Sequence, residues 1–361
     1  MTVKDPRSTP PAEGATALVH RKDHHIDICL QQDVGSARST GLGGYAIEYD
    51  ALPEIDLADV DLAVTVLGRP LRAPILIGAM TGGTERAGAI NRNLARAAAR
   101  TGVGMALGSQ RAMIVDPSLT ATFAGREAAP ELPLLIGNVG AVQLNYGVGA
   151  VAIRAALEAV GADAVNLHLN ALQEAIQPEG DTRFSGLHAR MTALIPELRV
   201  PVLVKEVGAG ISRRAAEKLA LLPLAGVESA GVGGTSWAKV ESFRAPGNSV
   251  QAEVGRRLAG FGIPTADSIR HCREAFGDRL VIGSGGLRSG YDVAVAIALG
   301  ADVGALAKPL LEAAELSEDA CVHALETLIY ELRVVCFCAG VRNIRELRTV
   351  RLIAGPEHQS R

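Results

Sequence analysis

Aromatic side chains make up only 3% of this 361-residue chain, which has a single Trp. An excess of one charge is also lacking: 36 Lys and Arg stand against 39 Asp and Glu, a formal net charge of −3. A near-neutral chain has no global field for nucleic acid, so an anionic ligand has to be held by a local cluster of cations. Cysteines are few and odd in number (Cys29, Cys272, Cys321, Cys336 and Cys338), which speaks against a disulfide framework. Cys336 and Cys338 lie two apart in a helical stretch, face different sides and read as small core residues. Residues 1–17 hold Pro6, Pro10 and Pro11 among mixed charges, with no apolar core, so a loose tail is expected there rather than a signal. The longest uncharged run, 132–153, approaches membrane-span length. Pro133, Asn138, Gln143, Asn145 and several glycines break it, and a transmembrane helix is excluded. The expectation is a cytoplasmic protein with neither a membrane nor a nucleic-acid partner.

Glycine is what the chain has in quantity: 40 residues, against 48% apolar and 21% charged side chains. That balance excludes disorder, collagen and a coiled coil. Short apolar runs recur along the chain, each ending in glycine or a polar residue: 74–78, 104–107, 133–137, 164–167, 202–205, 226–230, 280–283 and 303–306. Runs with few charges on either face suit parallel strands buried on both sides. Between most of them lie Ala-, Leu-, Arg- and Glu-rich stretches with helical spacing, as at 91–100, 150–160, 211–221 and 291–299. Strand and helix alternating eight times predict a (β/α)8 TIM barrel, with a doubly wound open sheet as the alternative. The domain is expected over 19–350, with an N-terminal arm, tails at 1–18 and 351–361, and its longest insertion after the sixth strand, at 231–278.

A barrel carries its site where the strands end. After the seventh strand, Ser284 to Gly290 form a glycine turn ahead of a helix, whose N–H groups and dipole suit a phosphate; Arg288 adds a fork of donors. A second glycine cluster, Gly231 to Thr235, lies beside it. Lys205 ends a buried strand and needs an anion or an electron-rich ring; the alternative is a salt bridge with Glu206, which faces the other way. Arg21, Lys22, His24 and His25 form a cation cluster. Ile26, Ile28 and Leu30 follow with strand-like alternation, so this arm is expected to fold down and close over a second anion, opposite Ser109 and Arg111. His168 and Asn170 face one way off the fourth strand and can both donate to an anion. Glu174 is one carboxylate, too few for a metal cage but enough for Mg2+ if ligand phosphates supply other oxygens. No Ser–His–Asp set and no strand-end cysteine is found, so an organic cofactor is expected to carry the chemistry.

Residues 168–181 (HLNALQEAIQPEGD), 204–212 (VKEVGAGIS), 231–237 (GVGGTSW), 79–83 (AMTGG) and 108–111 (GSQR) together resemble type 2 isopentenyl-diphosphate isomerases. Arg21-Lys22-x-x-His25 and residues 331–347 are similar as well, so the resemblance runs over about 20–350. It implies an FMN-dependent barrel that interconverts isopentenyl and dimethylallyl diphosphate by an allylic proton shift. It also implies reduced FMN, NADPH or another reductant, Mg2+, and a homotetramer or homo-octamer. By this resemblance Gly286, Leu287, Arg288, Ala307 and Lys308 would take the FMN phosphate. Ala79, Met80, Thr81, Ser109, Asn138, Lys205, Ala230 and Thr235 would line the flavin and its ribityl chain. Arg21, Lys22, Arg111, His168 and Asn170 would hold the substrate diphosphate, with Ser109 and Gln110 of the same turn. Glu174 would ligate Mg2+, and Gln173 would lie beside the allylic carbons as the catalytic-site amide.

The sequence departs from the family pattern at four positions. His24 and Glu228 replace common acidic residues (Asp at 228), Ala230 replaces a frequent serine, and Lys308 replaces an apolar residue or glycine. Two rivals remain open at this point. One is an FMN barrel oxidoreductase of the 2-hydroxy-acid type, which needs a His–Arg pair; the other is a silent flavin-binding scaffold, which would be expected to lose Gln173, Glu174 or the Arg21-Lys22 arm.

Overall fold

The computed structural model describes residues 15–355; of the tails expected at 1–18 and 351–361, residues 1–14 and 356–361 lie outside the described residues. Eight strands form a closed parallel barrel in chain order: β1 (Ile75–Ile77), β2 (Gly104–Ala106), β3 (Leu135–Gly140), β4 (Ala164–His168), β5 (Val202–Lys205), β6 (Gly226–Glu228), β7 (Leu280–Ser284) and β8 (Val303–Leu306). The last pairs with the first, Leu306 against Ile77, so no edge is left. The expected (β/α)8 barrel is therefore what this chain builds, and the open sheet is excluded.

The apolar runs become strands because both of their faces are covered. Inside the barrel, Leu76, Ala106, Ile136, Ala164, Leu203, Ile282 and Ala305 pack against one another. Alternate residues such as Val165, Leu167, Val204 and Val227 point outward into a second cluster with the surrounding helices. The helix Glu85–Thr101 shows how the connections are punctuated. Thr84 accepts the Ala87 N–H at its start, and Gly102, at φ 72°, ends it in the left-handed region. The insertion after β6 is built from three helices, Trp237–Arg244, Val250–Arg257 and Thr265–Phe276. Among the described residues, no helix is long and apolar enough to cross a membrane.

Three expectations are corrected at the ends of the chain. The N-terminal arm is a helix, Ala15–Gln31, and it starts inside the segment expected as tail. Its alternating Ile26 and Ile28 are both buried because the helix is wedged between two clusters. Ile26 joins the main core and Ile28 joins Val34 and Val240, about 200° apart around the helix axis. At the other end, Leu352–Ala354 is not tail but a strand, paired antiparallel with Tyr45–Ile47. Ile47 joins the main core from this pair, and Tyr45 and Leu352 pack against it.

Two aspartates tie down the end of the barrel away from the strand C-termini. Asp163, just before β4, binds Arg126 at 2.5 Å, Arg69 at 2.6 Å and the Leu135 N–H at 2.9 Å. Asp302, just before β8, binds Arg348 at 2.5 Å, Arg273 at 2.7 Å and the Val281 N–H at 2.7 Å. Each carboxylate thus joins two strand starts to two cations. Asp302→Ala leaves the Val281 N–H and the partly buried Arg273 without this acceptor, while the exposed Arg348 loses only a surface partner, and is expected to lower stability by about 2 kcal/mol in urea denaturation. A loss below about 0.5 kcal/mol would show that the cluster is solvated surface.

Candidate active site

The inner face of the barrel changes character at its C-terminal end. Two residues beyond the apolar Ile136, Leu203 and Ile282 stand Asn138, Lys205 and Ser284; Glu228 and His168 occupy the matching places on their strands. All five line one pocket at the mouth. Around them the pocket collects Arg21, Lys22, Ala79, Met80, Thr81, Ser109, Arg111, Asn170, Gln173, Glu174, Ala230, Thr235, Gly286, Leu287, Arg288, Ala307 and Lys308. The residues that the resemblance assigns to cofactor, substrate, metal or catalysis are all here with one exception, and His24 of the N-terminal cation cluster is exposed and lies outside the pocket.

The exception is Gln110, expected to help hold a diphosphate. It is completely buried and points away from the mouth. Its amide oxygen accepts the Asn138 N–H at 2.9 Å and its amide nitrogen donates to the Ala156 carbonyl at 3.1 Å. It braces β3 against the helix Ala150–Val160, because the turn after β2 starts a new helix at Arg111 and breaks the strand alternation there.

One side of the mouth is a glycine cradle. A Cβ on Gly234 would lie 2.5 Å from the Gly286 nitrogen, and Gly286 itself has φ +78°, so the two loops touch backbone to backbone. The helix after β7, Gly290–Ala298, was expected to offer its N–H groups to a phosphate. Instead most of the N–H groups around its start are taken by the protein. Asp292 accepts from Arg288 N–H at 2.7 Å and Ser289 N–H at 3.2 Å, and Glu331 accepts from Gly290 N–H at 2.7 Å. Among the described residues, the Gly286 and Leu287 N–H groups have no protein acceptor. An anion would therefore sit at the turn, against those two N–H groups and the Arg288 and Lys308 side chains. Across the mouth, the Thr81 hydroxyl is buried without a partner.

The strand ends between them are paired. Lys205 donates to the Glu206 carbonyl at 2.5 Å and lies 3.5 Å from Glu228 Oε1, so its ionic partner is Glu228, one strand over. The Glu206 carboxylate turns away, as its strand position requires, and accepts the N–H groups of Val207 at 2.6 Å and Gly208 at 2.7 Å. His168 Nδ1 meets Asn138 Oδ1 at 2.8 Å, and Asn138 Nδ2 donates to the Leu107 carbonyl at 3.1 Å. That fixes the amide, so the histidine proton is assigned to Nδ1 and Nε2 is left an acceptor. Burial, with Lys205 and Lys22 nearby, pushes His168 down to about 3, so the ring is neutral at pH 7.

The opposite wall carries carboxylates and amides. Glu174 accepts from Asn170 Nδ2 at 2.7 Å and from the Asp181 N–H at 2.6 Å. Burial raises its carboxyl above the usual range, a nearby Asp181 charge adds to this, and those two donors and Arg21 oppose it. Asp181 in turn holds Arg111 at 2.6 Å and Gln143 at 2.8 Å. Gln173 donates to Glu241 Oε1 at 2.9 Å. Glu241 is fully buried; it lies 3.1 Å from His25 Nε2 and accepts from Arg244 at 2.6 Å. Burial alone would raise its carboxyl, but the adjacent His25 ring, Arg244 and Gln173 outweigh this and hold it at about 2. Arg244 and Arg21 share Glu179, at 2.6 and 3.6 Å, which ties the N-terminal helix to this wall. Glu241, Arg244 and Asp181 were not singled out from the sequence. The only local signal was a Glu and an Arg three apart on the helix after the glycine cluster.

Among the described residues, no three His, Cys, Asp or Glu side chains converge as a metal site. The mouth does fit FMN: the glycine turn and its cations suit a phosphate, and Thr81, Asn138 and Lys205 offer polar groups to a planar heterocycle.

Residues 191–354 match the FMN-dependent dehydrogenase family. Among solved structures, mandelate oxidase with 3,3-difluoro-2-hydroxy-3-phenylpropionic acid superposes with a TM-score of 0.63 at 18% identity, covering 95% of this chain and 99% of that one. A flavocytochrome b2 variant with sulfite bound gives 0.65 at 17%, covering 93% and 85%. These likenesses carry the fold alone. In sequence, the isopentenyl-diphosphate delta-isomerase of Nostoc sp. is 47% identical over 94% of this chain and 97% of its own length. The Deinococcus radiodurans protein of the same name is 47% identical over 91% and 96%. Identity of 47% along nearly the whole length of both chains makes this chain a member of the isopentenyl-diphosphate delta-isomerase family.

Proposed function

We propose that the protein interconverts isopentenyl and dimethylallyl diphosphate with reduced FMN at the barrel mouth. The observation that carries this reading is a single pocket in which the glycine cradle faces Gln173 and Glu174. The reaction moves a proton along an allyl unit with no net redox change. When bound, reduced FMN would supply a group able to donate and accept that proton and an electron-rich face against positive charge. The chain's own residues do the rest. Arg288, Lys308 and the Gly286 and Leu287 N–H groups hold the cofactor phosphate, and Ala79, Met80, Thr81, Ser109, Asn138, Lys205, Ala230 and Thr235 frame its ring and ribityl chain. Arg21 and Lys22, carried by the N-terminal helix, close over the substrate diphosphate with Ser109, Arg111, His168 and Asn170. Glu174 ligates Mg2+ together with diphosphate oxygens. The Gln173 amide, fixed by Glu241, positions the prenyl unit rather than acting as an acid. NADPH as the reductant, a homotetramer or homo-octamer, and a cytoplasmic location belong to the same reading.

A 2-hydroxy-acid oxidoreductase is the weaker reading. His168 is neutral and committed to Asn138, and Arg111 is bound to Asp181, so the two do not form a free His–Arg pair for an α-hydroxy carboxylate.

Anaerobic incubation with isopentenyl diphosphate, Mg2+ and dithionite-reduced FMN is expected to yield dimethylallyl diphosphate; no product would end this reading. Glu174→Gln should weaken Mg2+-dependent substrate binding at least tenfold while FMN stays bound, and release of FMN instead would show the residue to be misassigned. Neutral His168 can donate to a diphosphate only after taking up a proton, since Nδ1–H already serves Asn138. Substrate binding at pH 7 should therefore take up more protons in the wild type than in His168→Gln, read as buffer-dependent calorimetric enthalpy. Equal uptake would remove His168 from the diphosphate site.

A further inference from the structure

Lys205 and Glu228 end adjacent strands in direct register. Both are almost fully buried, and both line the mouth. Glu228 Oε1 lies 3.5 Å from the Lys205 ammonium and accepts from Ser284 Oγ at 2.9 Å. Ser284 is itself held, because its hydroxyl accepts the Ala230 N–H at 3.0 Å and its main chain is bonded on both sides by Ser229 Oγ, each at 3.0 Å. The carboxylate is thus fixed from β7 and reaches across β6 to the lysine on β5. A side chain one methylene shorter would withdraw the oxygen by about 1.5 Å and could not span both partners. Without this anion, the Lys205 side chain would face the mouth with no carboxylate of the protein beside it.

We propose that Glu228 is a positioning residue: it holds the Lys205 ammonium at the cofactor edge and offsets part of its charge, and so sets how strongly the site prefers reduced over oxidised FMN. This rests on the reading that Lys205 faces the flavin. Reduced flavin tends to carry more negative charge on its ring than oxidised flavin. A bare lysine beside it favours the reduced form, and a fixed carboxylate 3.5 Å from that lysine counteracts the preference. The preference is a ratio of two affinities, so it appears equally as a shift in reduction potential.

The test is spectroelectrochemical titration of the FMN-loaded enzyme, with separate binding titrations of oxidised and reduced FMN to apoprotein. In Glu228→Gln the ratio of reduced to oxidised affinity is expected to rise about tenfold, a positive shift of about 30 mV for a two-electron couple. Glu228→Asp keeps the charge but loses the reach, and should shift the ratio about threefold in the same direction. An unchanged ratio in Glu228→Gln, with FMN bound as in the wild type, overturns the proposal. Should that variant fail to fold, Glu228→Asp carries the test, and an unchanged ratio there overturns it. A wild type that binds FMN but does not isomerise would end the functional reading and leave this measurement standing; a wild type that binds no FMN ends both.

Discussion

The mouth depends on how closely two loops can approach. The turns after β6 and β7 meet with a distance of 2.5 Å from where a Gly234 Cβ would stand to the Gly286 nitrogen, so no side chain fits between them. That contact brings the end of β6 against Ser284. Ala230 takes up a positive φ of 37° at the junction, unusual for a residue with a Cβ. From there the order passes inward. Ser284 fixes Glu228, Glu228 meets Lys205, and Lys205 stands beside His168 across the next pair of strands. A glycine contact at the rim thus sets the position of charges inside the barrel.

Electrostatics divide the mouth into two halves. The cradle half offers cations and unclaimed N–H groups. The other half is a closed network in which Glu241, wholly out of contact with solvent, gathers Gln173, His25 and Arg244. A buried carboxylate with three partners is expensive to assemble but rigid once assembled. Through Arg244, Glu179 and Arg21 the same network reaches the N-terminal helix, so the arm that brings the cations and the wall that orients Gln173 are parts of one structure.

The barrel was legible in the sequence because its strands are buried on both faces and so read as short apolar runs bounded by glycine. The pocket was legible because a barrel puts whatever follows its strands at one mouth. Gln110 was misread because the helix at Arg111 begins immediately and turns that side chain out of register. The N-terminal helix was misread because Ile26 and Ile28 serve two different clusters, which imitates the alternation of a strand. Glu241 and Asp181 were invisible for a different reason. In sequence they are ordinary charges in connecting segments, and only contacts with Gln173, 68 positions away, or with Arg111, 70 away, give them a role. The capping of the helix after β7 by Glu331, 41 residues on, was hidden in the same way.

The scarcity of aromatics has a practical side. Trp237 is the single tryptophan of the chain, and it stands in the pocket wall with its ring edge-on to His25 at 5.1 Å between centroids. All indole emission from this protein therefore originates at the mouth. The light the molecule gives off is a local signal, blind to the barrel's far end, and a flavin arriving in the pocket would have only one lamp to quench.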